Sequence, residues 1–274
     1  MKIVIDTDAR SLLVDEPNER TLPLYSKAAF EILSREWIRV GWNMQHWMGF
    51  SWLGYQLLQL PEDVLRLQEV VYKLRPDVVV ETGVYRGGST MLFASLCQLM
   101  DHGRVLSIER FLQPGLREVF ASDPLGHRIC LFEGDSSSAE IFRAVQKEAA
   151  AARSVLVFLD SNHSKAHVLE ELELYSQLVT LGSYIVAADG VMRVLADTPN
   201  GDPDWREDNP AEAAREFAGA HTDFVLETPE PLFLCEGYTE ELTYLSDAWL
   251  KRVAATERPL ARGGAVDDSA EPRR

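Results

Sequence analysis

The sequence predicts an α/β fold, a doubly wound, mostly parallel sheet with helices on both faces. Three observations predict it. Short apolar runs alternate with amphipathic helical stretches between residues 61 and 253. Acids stand at or just after the ends of four successive runs, at Glu81, Glu109, Asp135 and Asp160. A glycine turn, Gly83 to Gly88, follows the first run.

Taken in order, residues 1–20 are mixed and charged and are expected to form a loose arm. Residues 21–60 hold Trp37, Trp42, Trp47, Phe50, Trp52 and Tyr55. They read as a helical, aromatic-rich cover over a pocket, a sheet face or a partner subunit, with core packing the plainer reading of any one aromatic. Pro61 suits a first helical position, and Glu62 and Asp63 complement the positive end of the helix dipole. Val64, Leu67, Val70, Val71 and Leu74 recur at helical spacing, and Pro76 stops the helix. Strands are expected at Asp77–Glu81, Val105–Glu109, Ile129–Phe132, Val155–Asp160 and Tyr184–Ala188. Between them, helices are expected at Ser89–Met100, with Gly103 as its cap, at Ser138–Ala152 and at His163–Thr180; another follows at Ala211–Ala218. Phe224–Glu227 and Ala248–Val253 read as an antiparallel pair at one edge. Residues 61–253 thus form one cofactor-binding domain, and residues 254–274, without apolar periodicity, read as a disordered tail.

A chain of 274 residues suits one such domain with additions. Its 27 basic and 43 acidic residues leave a formal charge of −16, which repels phosphate backbones and argues against nucleic acid and anionic membranes as partners. Cys97, Cys130 and Cys235 form no metal-binding spacing and fit a reducing cytoplasm. No basic region precedes an apolar core at the N-terminus, and no apolar run is long enough to span a bilayer. The tryptophans of residues 37–52 point to a subunit contact and so to a homo-oligomer.

The turn reads Glu81-Thr82-Gly83-Val84-Tyr85-Arg86-Gly87-Gly88-Ser89. Its glycines are spaced G-x-x-x-G-G, unlike the G-x-G-x-x-G of dinucleotide binders, and no Walker lysine is present. A nucleoside lacking a pyrophosphate needs no long phosphate cradle. S-adenosylmethionine needs room for a sulfonium and an amino acid, with a carboxylate nearby, and Glu81 is placed for that. An acid ending the second strand takes ribose hydroxyls in doubly wound folds, which assigns Glu109. Asp135, with Ser136 beside it, is expected to contact the adenine or hold its loop. Tyr85 and Arg86, inside the turn, are expected to touch the cofactor's amino-acid end or simply to pack, and Arg110, after Glu109, is expected among the cofactor contacts.

With those residues in place, the chain resembles the cephalosporin hydroxylase family, which includes or borders sugar O-methyltransferases. The stretches that carry it are Trp52-Leu-Gly, Gln59-Leu-Pro-Glu-Asp63, Arg75-Pro-Asp-Val-Val-Val-Glu-Thr-Gly83 with Gly87-Gly88-Ser89, Leu159-Asp-Ser-Asn-His163, Leu181-Gly-Ser-Tyr184 and Trp249-Leu-Lys-Arg-Val253. The resemblance covers roughly residues 37–253. It implies a Rossmann-like class I methyltransferase that uses S-adenosylmethionine. It also implies a divalent metal, typically magnesium, held by acids at the ends of the fourth and fifth strands. Asp160 matches the first; the fifth-strand pair, usually Glu-Asp, is here Ala188-Asp189, which removes one ligand.

Methyl transfer to a hydroxyl of a small molecule, such as a sugar, requires loss of its proton. A metal at Asp160 and Asp189 or a base at His163 serves that need; the plainer reading of His163 is a helix start. His163 and His167 have a spacing that zinc ligands use, but no Glu lies between them as in H-E-x-x-H. His221-Thr-Asp223 matches part of an iron-oxygenase motif but no second histidine follows. Asp197–Asn209, with Trp205, is expected to be a substrate lid or a solvated loop. Transfer to nitrogen or carbon, or a non-catalytic subunit that binds the cofactor, are the competing readings. A nicotinamide oxidoreductase is disfavoured by the glycine spacing.

Overall fold

The computed structural model describes residues 1–15, 18–233 and 242–254. Cys235 and all but the first residue of the expected tail lie outside them. Strands β1 (Ile3–Asp6), β2 (Ser11–Val14) and β3 (Arg20–Pro23) form an antiparallel meander. The arm is therefore ordered rather than loose. Leu12 and Val14 alternate inward along β2 and pack against Ala29, Ile32 and Leu33 of helix α1 (Lys27–Asn43). Ser26 caps α1 by accepting the Ala29 N–H. A hairpin of β4 (Phe50–Trp52) and β5 (Tyr55–Leu57) leads to helix α2 (Pro61–Leu74), which begins at its proline as the sequence predicts.

The central sheet comprises β6 (Val78–Thr82), β7 (Arg104–Glu109), β8 (Ile129–Glu133), β9 (Val155–Leu159), β10 (Tyr184–Ala187), β11 (Phe224–Leu226) and β12 (Trp249–Arg252). Their order is β11-β12-β10-β9-β6-β7-β8. All pairings from β10 to β8 are parallel, whereas β12 runs antiparallel to both β10 and β11. The residues of β6 are all buried, because successive side chains serve opposite covered faces. Val78 and Val80 join the core beneath α5 (Ala139–Ala149), α6 (Lys165–Tyr175) and α8 (Pro210–Ala220). Val79 joins the opposite core, with Leu67 and Val71 of α2 and Leu92 and Phe93 of α3 (Gly88–Leu99).

Three local expectations change. Helix α4 (Leu116–Ser122) is an extra element, turning Leu116 and Phe120 towards Val84 and Met91. Helix α6 starts at Lys165, behind Ser164, so His163 lies ahead of it. Asp101 (φ 46°), not Gly103, takes the left-handed position directly after α3. Gly103 turns the chain one step later, where a Cβ would lie 2.4 Å from the Pro76 carbonyl oxygen. The remaining short helix, α7 (Met192–Leu195), follows β10.

Candidate functional site

The glycine turn is built by close backbone contact. Gly83 has φ +85°, and a Cβ there would lie 2.0 Å from the Asp160 carbonyl oxygen. A Cβ on Gly88 would lie 2.1 Å from the Gln56 carbonyl oxygen. The ends of β6 and β9 therefore meet, and the β4–β5 hairpin rests on the start of α3. Glu109 holds the turn from the other side. Its Oε2 accepts the N–H groups of Val84 (2.9 Å) and Tyr85 (2.7 Å).

Beside the turn lies a cavity of about 420 Å³, walled by Gly83, Tyr85, Gly88, Ser89, Asp160, His163 and Asp189. His163 Nε2 is 3.3 Å from Asp189 Oδ2, and both side chains are largely shielded. Asp189 has a left-handed backbone (φ 61°), which Asp tolerates better than most residues. Asp160 Oδ2 accepts the Gln59 Nε2–H at 3.1 Å. Burial, then the nearby carboxylates of Asp189 and Glu81, hold the Asp160 carboxyl well above its ordinary range. One atom each from Asp160, His163 and Asp189 lies within 4.8 Å of the others, which suits a cation. Ala188 is buried and offers no ligand atom.

The structure thus brings Gly83, Tyr85, Gly88, Ser89, Asp160, His163 and Asp189 to one cavity wall. Gly87 shapes the turn from behind, against the Phe120 ring. Glu81 and Thr82 are fully buried and lie off the wall. The expected place of Glu81 beside the sulfonium is corrected accordingly. Its Oε2 accepts the hydroxyls of Thr90 and Ser107, so it lashes α3 to β7; Oε1 has no partner, and burial pushes the carboxyl up to about 6. Thr82 Oγ1 accepts the Asp160 N–H at 3.3 Å. Asp135 accepts both the N–H and hydroxyl of Ser137 at 3.0 Å, which with Arg110 at 3.7 Å holds its carboxyl below the usual range. Arg110 also lies over the Phe111 ring, and Arg86 over that of Tyr85.

His167 belongs to another network. Its Nε2 lies 3.1 Å from Ser161 Oγ, 3.3 Å from Ser136 Oγ and 3.5 Å from buried Glu171. The Glu171 carboxylate raises the His167 pKa. The zinc pairing of His163 with His167 is not formed. His221 stacks on Phe217 and Asp223 pairs with Arg252, so His221-Thr-Asp223 is structural. The 197–209 loop is tied to α1 rather than hung over the cavity. Arg39 binds Asp197 through two nitrogens, Trp42 Nε1 donates to the Asn200 carbonyl, and Trp205 packs with Ile38, Leu60 and Leu195.

Four wall residues escaped the sequence reading as polar contributors: Trp47, Gln56, Gln59 and Tyr244. Trp47 Nε1, Gln56 Oε1, Gln59 Oε1 and the Tyr244 hydroxyl are buried without a partner. Buried polar atoms almost always find a partner, so four unpartnered ones on one wall make it suited to a polar ligand. A glutamine inside the apolar run Leu57-Leu58-Gln59-Leu60 was the one signal available. Tyr244 arrives through Asp63, which accepts the Thr243 hydroxyl and the Tyr244 N–H. Burial pushes the Asp63 carboxyl up to about 7. Its proton is bound more tightly in the folded state, so this contribution to stability is full below the unfolded pKa of about 4. It is lost as pH rises through about 7. The melting temperature of the protein is expected to fall between pH 5 and pH 8, and less steeply in Asp63→Asn. Equal slopes in a thermal melt series count against this.

The chain matches the rhamnosyl O-methyltransferase/CmcI family over residues 44–253. The rhamnosyl O-methyltransferase of Mycobacterium leprae (strain TN) is 30% identical over 150 residues, 52% of this chain and 61% of that protein. That of Mycobacterium bovis (strain BCG / Pasteur 1173P2) is 28% identical over 148 residues, 52% of this chain and 58% of that protein. The match thus spans about three fifths of the length of these curated relatives. An apo structure of CmcI has the same fold, with a TM-score of 0.51 at 20% identity, over 76% of this chain and 78% of that one. CmcI with magnesium and S-adenosylmethionine gives 0.50 at 20% identity, with the same coverage.

Proposed function

Since this chain belongs to the rhamnosyl O-methyltransferase/CmcI family, we propose that it transfers the methyl group of S-adenosylmethionine to a hydroxyl of a sugar or glycosylated natural product. The observation that carries the reading is one cavity that joins the glycine turn to a paired imidazole and carboxylate. S-adenosylmethionine, when bound, supplies a methyl group on a sulfonium. Gly83, Gly88 and Ser89 are the close-approach surface for its amino-acid end. Glu109, at the end of β7, is placed for the ribose. His163 takes the acceptor proton. Asp189 faces its Nε2, and with the proton held there Nδ1 is the accepting nitrogen of the ring. The carboxylate also stabilises the imidazolium that forms, as in other acid–histidine pairs.

The donor set fits a divalent cation such as magnesium, because the carboxylates of Asp160 and Asp189 gather, with the His163 imidazole, on a wall that also holds an unpartnered amide oxygen. Asp160 and Asp189 would hold it. Its chemistry there is to make the acceptor hydroxyl more acidic.

Calorimetric titration of S-adenosylmethionine, with and without magnesium, tests the reading. Glu109→Ala is expected to weaken binding at least about tenfold, which is the loss of one charge-assisted contact of about 1.4 kcal/mol or more. Binding by neither protein would sink the methyltransferase reading. A non-catalytic subunit is the reading that buried Ala188 favours; turnover by the purified chain alone decides against it.

A homo-oligomer belongs to the same proposal. Tyr25, Phe30, Trp37, Val40 and Met44 expose apolar surface along and beside α1. A monomeric mass by light scattering would remove it. No helix among the described residues is long and apolar enough to cross a membrane.

A further inference from the structure

Gln59 is 3% exposed, and it stands on the cavity wall one residue before the N-cap of α2. Its two amide atoms are in opposite states. Nε2 donates to Asp160 Oδ2, which fixes which end of the amide faces that carboxylate, since two oxygens there would repel. Oε1 is buried and without a partner. An amide oxygen desolvated in this way is costly unless something binds it. On the same cavity wall stand the carboxylates of Asp160 and Asp189 and the imidazole of His163, with one atom of each within 4.8 Å of the others.

We infer that Gln59 supplies a neutral oxygen to the ligand sphere of a divalent cation held by Asp160 and Asp189. Hard cations such as magnesium and manganese take six oxygens, accept amide carbonyls and retain waters. Two carboxylates alone leave most of that sphere to solvent. A buried amide anchored on Asp160 adds an oxygen without adding charge, and it positions the carboxylate at the same time. Ala188, buried just past the end of β10, has no side-chain oxygen to offer in its place.

The inference rests on the site reading above, and the test separates the two. Manganese(II) is titrated into the full chain, and the free ion is followed by electron paramagnetic resonance. The unaltered protein is expected to bind one ion. Gln59→Leu is expected to weaken binding about 10–100-fold, the usual effect of losing such a partner. Gln59→Glu is expected to bind at least as tightly as the unaltered protein, because it keeps an oxygen, adds charge, and the cation relieves the repulsion between the new carboxylate and Asp160. Ala188→Glu placed in the Gln59→Leu background is expected to recover affinity. Gln59→Leu binding within twofold of the unaltered protein, at an unchanged melting temperature, overturns the inference. So does a Gln59→Glu protein that binds more weakly, which keeps the test open if the leucine variant fails to fold. Absence of manganese binding by the unaltered protein overturns it too. S-adenosylmethionine affinity is measured in parallel. Retained cofactor binding with Gln59-independent manganese binding removes this inference alone. Lost cofactor binding with Gln59-dependent manganese binding removes the methyltransferase reading and leaves the cation site standing.

Discussion

His163→Ala is expected to slow methyl transfer about 10²–10⁴-fold, the usual contribution of a positioned base, while S-adenosylmethionine binds within about twofold of its original affinity. The split follows from the geometry. His163 shares a wall with the glycine turn, and its Nε2 lies 3.3 Å from Asp189 Oδ2. Removing the imidazole leaves the turn, Glu109 and Asp160 intact. A base acts in the transition state, so kcat falls and cofactor affinity does not. Unchanged kcat at saturating magnesium would show that proton removal does not pass through His163. A parallel loss of kcat in Asp189→Asn, with manganese and cofactor binding kept, would mark Asp189 as the group that orients the ring.

Gly83→Ala is expected to destabilise the protein by about 3 kcal/mol or more, the combined order of a left-handed backbone and of overpacking. In a chain of this size that lowers the melting temperature by roughly 6–12 °C. The new methyl group would stand 2.0 Å from the Asp160 carbonyl oxygen. Relief requires β6 and β9 to part at the rim, which moves Asp160 and the turn together, so cofactor binding should be lost as well. Gly182→Ala is the control. Gly182 has φ +83° but nothing within 4 Å of its added Cβ, so only the backbone cost of about 1 kcal/mol remains. Similar melting temperatures for the two variants would show that the Gly83 contact yields without cost.

Much of the central domain was legible because its signals are local. The apolar runs of β6, β9 and β10 and the proline at the start of α2 mark themselves. Helix α4 was missed because it is short, seven residues, and only Leu116 and Phe120 face inward. The N-terminal meander was missed because its strands are four residues each and mostly exposed, with Leu12 and Val14 as the buried alternation. At the site, the acids were legible as strand-end residues, but their roles were not. Glu109 ends β7 and Glu81 is the last residue but one of β6, yet one grips the turn while the other is sealed under α3. Burial decided that, and burial depends on contacts between distant segments. Tyr244 is the extreme case, since it reaches the cavity through Asp63, 181 residues away in the chain.

The place of β12 between β10 and β11 imposes an order of assembly. Strand β11 precedes β12 in the chain, yet its hydrogen-bonded neighbour is β12 and not β10. Until residues 249–252 insert, the β10 edge is bare and β11 has nothing to pair with. The stretch from β11 to β12 therefore closes onto the sheet only once β12 has paired with β10. Tyr244 lies inside that stretch, so the cavity gains its last wall in the same event that covers the sheet edge. During synthesis, an unfinished chain would expose that edge as a template for pairing with other chains.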